Sequence, residues 1–374
     1  MSVDQYNEEV GKLYQSDPEL FMFSPAFCRC EGQTHLYLHI AGGLPVRKSR
    51  FLELVLRFVA KILRDVTFSL LAQEVDLTVS SKQPIFVFSY FDERNNANGQ
   101  LREEYFRGIL DGNTDVYCFY KLINPGMLFR GARYLRLLTR LKKPFHGYAE
   151  YSFIDARLIF RAVLLTRSHL RKFKRHVFPD GSNPALVQHL TIAHLREISD
   201  GTVYYGYLQG LLFERLLAFK PRFVLFPWEN HPWERILEFT KKKISPATIS
   251  KGFQHTGFSK KLLQHFPSHA DSGLATYPDY ILCNGQVNRD ELTRNPSISS
   301  KIIVAGALRQ DAMLRKGVGK IADLQLQAGQ PINVAFAFSW DQSTYEQILK
   351  DLERLPDNIT VYLKFHPLYP DWLD

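Results

Sequence analysis

From Pro84 onward, uninterrupted apolar runs alternate with segments whose apolar residues recur every three or four positions. PIFVFSYF (84–91) and DVYCFYKL (115–122) read as buried strands. A polar, Asn-rich loop and a helix around Leu101–Leu110 are predicted between them. Two basic helical regions follow, ARYLRLLTRLKK (132–143) and ARLIFRAVLLTRSHLRKFKRHVF (156–178), and then a helix over TVYYGYLQGLLFERLLAFK (202–220). That helix runs directly into the strand FVLFPW. A helix carrying Glu234, Arg235 and Lys241–Lys243 comes next, with Glu234 expected to pair with Lys241 or a neighbour. The strand ATISKGF (247–253), the segment PDYILCNG (278–285), a polar helix and the strand KIIVAGAL (301–308) complete the series. Such alternation predicts an α/β fold with a mostly parallel sheet.

Met313–Pro331 has scattered charge, three glycines and little periodicity, and is predicted to be a linker. The rhythm restarts with the strand INVAFAF (332–338), a helix TYEQILKDLERL (344–355) and the strand ITVYLKF (359–365). The expected organisation is an N-terminal extension (1–80), a Rossmann-like domain (81–312), the linker (313–331) and the start of a second domain (332–374). One βαβ unit cannot bury both faces of a parallel sheet, so the second domain is expected to be incomplete in this chain. Within the extension, FLELVLRFVAKILRDVTFSLLA (51–72) contains Arg57, Lys61, Arg64 and Asp65, too many charges for a membrane span. Its apolar residues Leu52, Leu54, Val55, Phe58, Val59, Ile62 and Leu63 predict one helical stripe packed on the core.

The chain has 374 residues, 45% of them hydrophobic, enough for two domains with their own cores. A formal charge of +9 favours anionic partners. The four cysteines form neither a disulfide framework nor a paired metal knuckle, which points to a reducing cytosol. The polar N-terminus carries no secretory pattern.

Candidate chemistry is sought at strand ends, because ligands of open α/β sheets bind beyond the carboxyl ends of the strands. Asp92 follows the first strand. Trp228, Glu229 and His231 follow FVLFPW, within FVLFPWENHPWERI. Gln254 and His255 follow ATISKGF, Asn284 follows YILC, and Arg309 follows KIIVAGAL. Ser339 and Ser343 follow the strand at 332–338, and His366 follows the last strand. Glu229 suits a general base if Trp228 and Trp233 desolvate it, and suits equally a cap on the helix that begins near Pro232. His255 lies between Gly252 and Gly257, which permit close backbone approach to a ligand. The amides and hydroxyls of the Ser339–Thr344 loop fit a phosphate, although N-capping by Ser343 explains the same residues. No P-loop, no dinucleotide-binding glycine motif, no nucleophile elbow and no HExxH or Asp-x-Asp metal pattern is present.

In their order, PIFVFSYFD, FPWENHPWER, GFQHTGF, YPDYILCNG, KIIVAGALRQDA and YLKFHP resemble segments of bacterial surface-carbohydrate transferases for O-antigen and capsule. Those are glycosyltransferases of GT-B type with two Rossmann-like domains. The YLKFHP end is similar to the His-Pro motif of sialyltransferase-like, Kdo-transferase-like and polyol-phosphate-transferase-like enzymes. The resemblance spans roughly residues 84–370.

It implies a peripheral, cytoplasmic transferase of surface polysaccharide biosynthesis. Such an enzyme moves a sugar from a nucleotide-sugar donor, CMP-activated by preference, to a glycan or lipid-linked acceptor, with no cofactor and no catalytic metal. Glu229 is then the base, with His255 beside it as a catalytic candidate. His366, Arg309, Ser339 and Ser343 meet the donor, and Asp92, Trp228, His231, Gln254 and Asn284 line the acceptor cleft. The basic helices could touch the inner face of the cytoplasmic membrane, and nucleic acid is not expected as a partner. Two other functions stay open: a CDP-polyol phosphotransferase of similar fold, and a non-catalytic basic protein that binds nucleic acid or scaffolds a membrane assembly.

Overall fold

The computed structural model describes residues 3–28 and 51–72, most of 83–306, and the strand residues 332–337 and 359–364, with a few positions between. The chain divides into two compact units, Met1–Asp311 and Ala312–Asp374. The first opens with helices α1 (Val3–Ser16), α2 (Pro18–Phe21) and α3 (Pro25–Cys28). Tyr6, Val10, Phe21 and Phe27 from these helices are fully buried in the common core.

Helix α4 (Phe51–Leu71) buries only part of the stripe its sequence predicts. Leu54, Asp65 and Phe68 are buried and Phe58, Ile62 and Val66 are partly covered, whereas Val59 and Leu63 are 46% and 62% exposed. The physical reason is Asp65. Its Oδ1 accepts hydrogen bonds from Tyr151 Oη (3.0 Å) and Arg64 Nε (2.9 Å), so a hydrogen-bonded carboxylate takes an interior position on the helix. Among the described residues no helix is long and apolar enough to cross a membrane.

The sheet begins with β1 (Ile85–Phe91), an apolar strand buried on both faces. Of the helix expected around Leu101–Leu110, Leu101 lies instead in a strand, Leu110 is helical, and residues 104 and 107–109 lie outside the described residues. β2 (Asn96–Ala97) and β3 (Gln100–Leu101) pair as an antiparallel hairpin. Asn98 and Gly99 turn it in the left-handed region, at φ 54° and 83°. Asn-Gly is the residue pair such a two-residue turn demands.

The chain continues through β4 (Val116–Leu122), α5 (Leu128–Arg140), β5 (His146–Ala149) and three consecutive helices, α6 (Ala156–Phe173), α7 (Pro184–Ser199) and α8 (Thr202–Leu217). β6 (Phe223–Pro227), α9 (Pro232–Ile244), β7 (Ile249–Phe253), β8 (Tyr280–Cys283), α10 (Gln286–Thr293) and β9 (Lys301–Val304) complete the unit. β5 and α7 carry no strong sequence pattern of their own and were not predicted.

Seven strands form one parallel sheet in the order β5-β4-β1-β6-β7-β8-β9. The chain lays strands outward from β1 to β5, returns through α6, α7 and α8, and then lays β6 to β9 outward on the other side of β1. This is a Rossmann-like arrangement, and the direction of building reverses between β1 and β6. A crevice is expected at the carboxyl ends of those two strands.

In the second unit β10 (Ile332–Ala337) and β11 (Ile359–Lys364) pair in parallel, from Ile332 opposite Ile359 to Ala337 opposite Lys364.

Candidate functional site

The carboxyl ends of four neighbouring strands meet at the reversal. Tyr90 of β1 stands in register with Lys121 of β4. Tyr120 of β4 is in register with Ala149 of β5, so Glu150, which opens the short helical turn Glu150–Phe153, comes level with Lys121. On the other side, β6 runs out into Trp228, Glu229, Asn230 and His231. The register of the sheet alone therefore brings together a phenol, an amine, two carboxylates and an imidazole.

The turn after β6 is tightly built. Trp228 N–H donates to Phe253 O at 2.7 Å, continuing the ladder with β7. Asn230 then takes a left-handed backbone (φ 58°), and its Nδ2 donates to Gln264 O at 2.6 Å. Asparagine is among the residues that tolerate this conformation best. His231 is the N-cap of α9, and Pro232 occupies the first helical position. Glu234 reaches back from the third position of α9, its Oε2 accepting the backbone N–H groups of Glu229 (3.0 Å) and Asn230 (2.7 Å). A helix-start glutamate reaching backward in this way is a capping-box device displaced by one or two residues. The result is that Glu229 Oε2 and His231 Nε2 lie 2.6 Å apart, both side chains about one-quarter exposed.

His231 forms part of the wall of a cavity of about 320 Å³, with Tyr90, Lys121, Tyr205, Gln209 and Trp233 among its other walls. Trp233 Nε1–H donates to the Tyr90 hydroxyl at 3.0 Å. Lys121 Nζ lies 5.0 Å from the Trp233 ring centre and 5.3 Å from that of Tyr205, over the ring faces. The Gln209 amide lies near the Tyr205 hydroxyl, and no acceptor among the described residues stands in hydrogen-bond geometry with its buried Nε2.

Burial dominates the electrostatics. It raises the Glu234 carboxyl to about 8, with His231 opposing and Glu229 reinforcing the shift. Burial likewise raises Glu150, against the pull of Lys121, and lowers Lys121, against Glu150 and Glu234. Tyr90 is pushed well above the usual phenol range, first by burial and then by Glu234 and Glu229. Glu234 therefore holds its proton through most of the neutral range.

The residues expected from sequence fall into three groups. Glu229 and His231 come together at the crevice. Trp228, Gln254, Asn284 and Asp92 lie in the framework around it. Trp228 is 1% exposed and packs on Gly252, where an added Cβ would come within 2.8 Å of it. The close approach at Gly252 therefore serves an indole, and the cavity wall comes from Trp233. Gln254 ties β7 to β8, its N–H donating to Leu282 O at 2.9 Å while its Oε1 accepts from Asn284 N–H at 3.4 Å. Asp92 is held by Arg94, with Nε at 2.8 Å from Oδ2, in the turn after β1. His255, Arg309, Ser339, Ser343 and His366 lie outside the described residues. Glu234 does not pair with Lys241, which instead meets Asp279 Oδ2 at 2.5 Å and Glu238 Oε2 at 3.3 Å, towards the amino ends of β7 and β8.

Lys121, Glu150, Tyr205 and Gln209 were missed. Lys121 had a signal, because it is the one charged residue inside an otherwise apolar strand pattern and stands at the carboxyl end. Glu150 follows a strand that was itself not predicted. Among the described residues no group of three or more His, Cys, Asp or Glu side chains is placed to hold a metal ion. No family model, no curated protein and no solved structure matches this chain.

Proposed function

We propose that this chain is a glycosyltransferase of surface polysaccharide synthesis, of GT-B type, in which the first unit binds the acceptor and supplies the base. The observation that carries the proposal is the contact between Glu229 Oε2 and His231 Nε2, 2.6 Å, at the carboxyl end of β6 beside a cavity that His231 lines. A carboxylate in hydrogen-bond contact with an imidazole fixes the ring and stabilises the charge it acquires with a proton.

In the reaction, an acceptor hydroxyl gives its proton to the Glu229–His231 pair as its oxygen attacks the anomeric carbon of the donor sugar. The bond from that carbon to the nucleotide phosphate breaks, and the nucleotide leaves with the electron pair. Glu234 positions the pair by fixing the backbone of Glu229 and Asn230. A cavity of about 320 Å³ is at the small end of the range for ligand sites, about 300–1,000 Å³, and suits a single sugar ring.

Incubation with labelled CMP- and UDP-sugars and a glycan acceptor mixture tests the assignment. Transfer of the labelled sugar supports it. Transfer of labelled glycerol phosphate from a CDP-alcohol, with no sugar moved from any donor, would replace it with the phosphotransferase.

A further inference from the structure

Three hydrogen-bond donors meet at the crevice without acceptors among the described residues. Lys121 Nζ makes its contacts with the Trp233 and Tyr205 ring faces and forms no ion pair among the described residues. Its electrostatic neighbours are Glu150 and Glu234, both raised by burial, and Glu234 at about 8 is mostly neutral near pH 7. The Tyr90 hydroxyl accepts from Trp233 Nε1, which leaves its own proton without an acceptor among the described residues. Gln209 is 3% exposed, and its Nε2 has no acceptor in hydrogen-bond geometry among the described residues. All three residues line the same cavity of about 320 Å³.

Buried donors normally find partners, and buried cations are normally paired. Arg64 shows the ordinary solution in the same region: it also approaches Tyr205, but its charge is met by Asp65 at 2.7 Å. Lys241 is likewise paired. Lys121 departs from both. Among the described residues no carboxylate is in contact with this partly buried ammonium. With a phenol proton and an amide N–H₂ on one cavity wall, it provides the positive charge and donors that a carboxylate or phosphate group requires.

We infer that the crevice takes an anionic ligand, whose charged oxygens are held by Lys121, Tyr90 and Gln209. Resting on the transferase proposal above, this makes the acceptor an acidic sugar, one carrying a carboxylate or a phosphate. The rings of Trp233 and Tyr205 hold the ammonium in place and present faces on which a sugar ring can stack.

Thermal-shift titration and calorimetry of the whole chain with glucuronate, glucose 6-phosphate and glucose test the site, and the first two probes separate a carboxylate from a phosphate. The wild-type protein should be stabilised by at least one of the charged sugars and not by glucose. Lys121→Met should weaken that binding about tenfold or more, the loss expected for a hydrogen-bonded charge. Lys121→Arg should restore much of it, and Lys142→Met, at an exposed position, should change nothing. Equal responses of the Lys121→Met and wild-type proteins would overturn the inference, as would the absence of any response to either charged sugar at millimolar concentrations. Binding unchanged in Lys121→Met would count against the anion site alone, whereas normal transfer by Glu229→Gln would count against the base assignment alone.

Discussion

Trp233 joins the two sides of the crevice: its indole N–H donates to the Tyr90 hydroxyl at 3.0 Å, linking the first turn of α9 to the end of β1. The next residue, Glu234, holds the turn before the helix by accepting two backbone N–H groups. One helix start thus sets both the cavity wall and the position of the Glu229–His231 pair.

Glu234→Gln isolates the electrostatic part of that arrangement. The folded carboxyl titrates at about 8 against an ordinary value of 4.5. The folded state therefore keeps a proton that the unfolded chain releases, and stability is lost as pH rises through this window. The glutamine keeps an acceptor for the two N–H groups and removes the titration. Its urea midpoint should stay close to wild type near pH 6 and fall less steeply towards pH 9. Glu238, raised by burial to about 7, adds a slope of the same sign that remains in both proteins. Identical slopes would show that Glu234 does not hold the proton.

A second buried network should respond in the opposite direction. His169 Nε2 and His194 Nε2 are 2.8 Å apart, Tyr207 Oη meets His169 Nδ1 at 3.0 Å, and His194 Nδ1 meets Glu197 Oε2 at 3.3 Å. With both rings neutral, one proton assignment satisfies every contact. His194 Nδ1–H donates to Glu197, His169 Nε2–H donates to His194, and Tyr207 O–H donates to His169.

Burial lowers both imidazoles from 6.5 to about 3, with the His194 charge a further cause at His169. The unfolded chain takes up protons that the folded one refuses, so stability is present above 6.5 and is lost as pH falls towards 3. The urea midpoint should drop between about pH 7 and pH 5, and a His169→Gln, His194→Gln double variant should drop less over that interval. A wild-type midpoint that stays level there would contradict the neutral pair.

Gly131 fixes the approach of α5 to α4. A Cβ at this position would fall within 3 Å of three atoms of the buried Phe68 ring. Gly131→Ala should cost about 1–3 kcal/mol in chemical denaturation through overpacking, despite the higher helix propensity of alanine. A stabilised variant would mean that the ring moves aside at little cost.

The strands were legible where they are apolar almost throughout. PIFVFSYF, DVYCFYKL and FVLFPW are buried on both faces of a parallel sheet, which is why they are almost wholly apolar, with polar exceptions such as Ser89 and Lys121 near strand ends. The four-residue β5 is too short to display a period. α7 was hidden because its apolar residues are spread around the helix, with His194 and Glu197 among its buried positions. Glu229 and His231 were legible as polar residues closing an apolar strand. Lys121, Tyr90 and Glu150 were harder to assemble, because their proximity depends on the order β5-β4-β1-β6, a property of the sheet that local sequence does not encode.

The most direct test of the Glu229–His231 base is the pH–rate profile of Glu229→Gln in a sugar-transfer assay of the whole chain. Glutamine preserves the shape of the side chain and an acceptor for His231, so the fold and KM should change little. The base assignment predicts a fall in kcat of about 10²–10⁴-fold and an altered basic-group limb in the profile. A variant with wild-type kcat and an unchanged profile would contradict it.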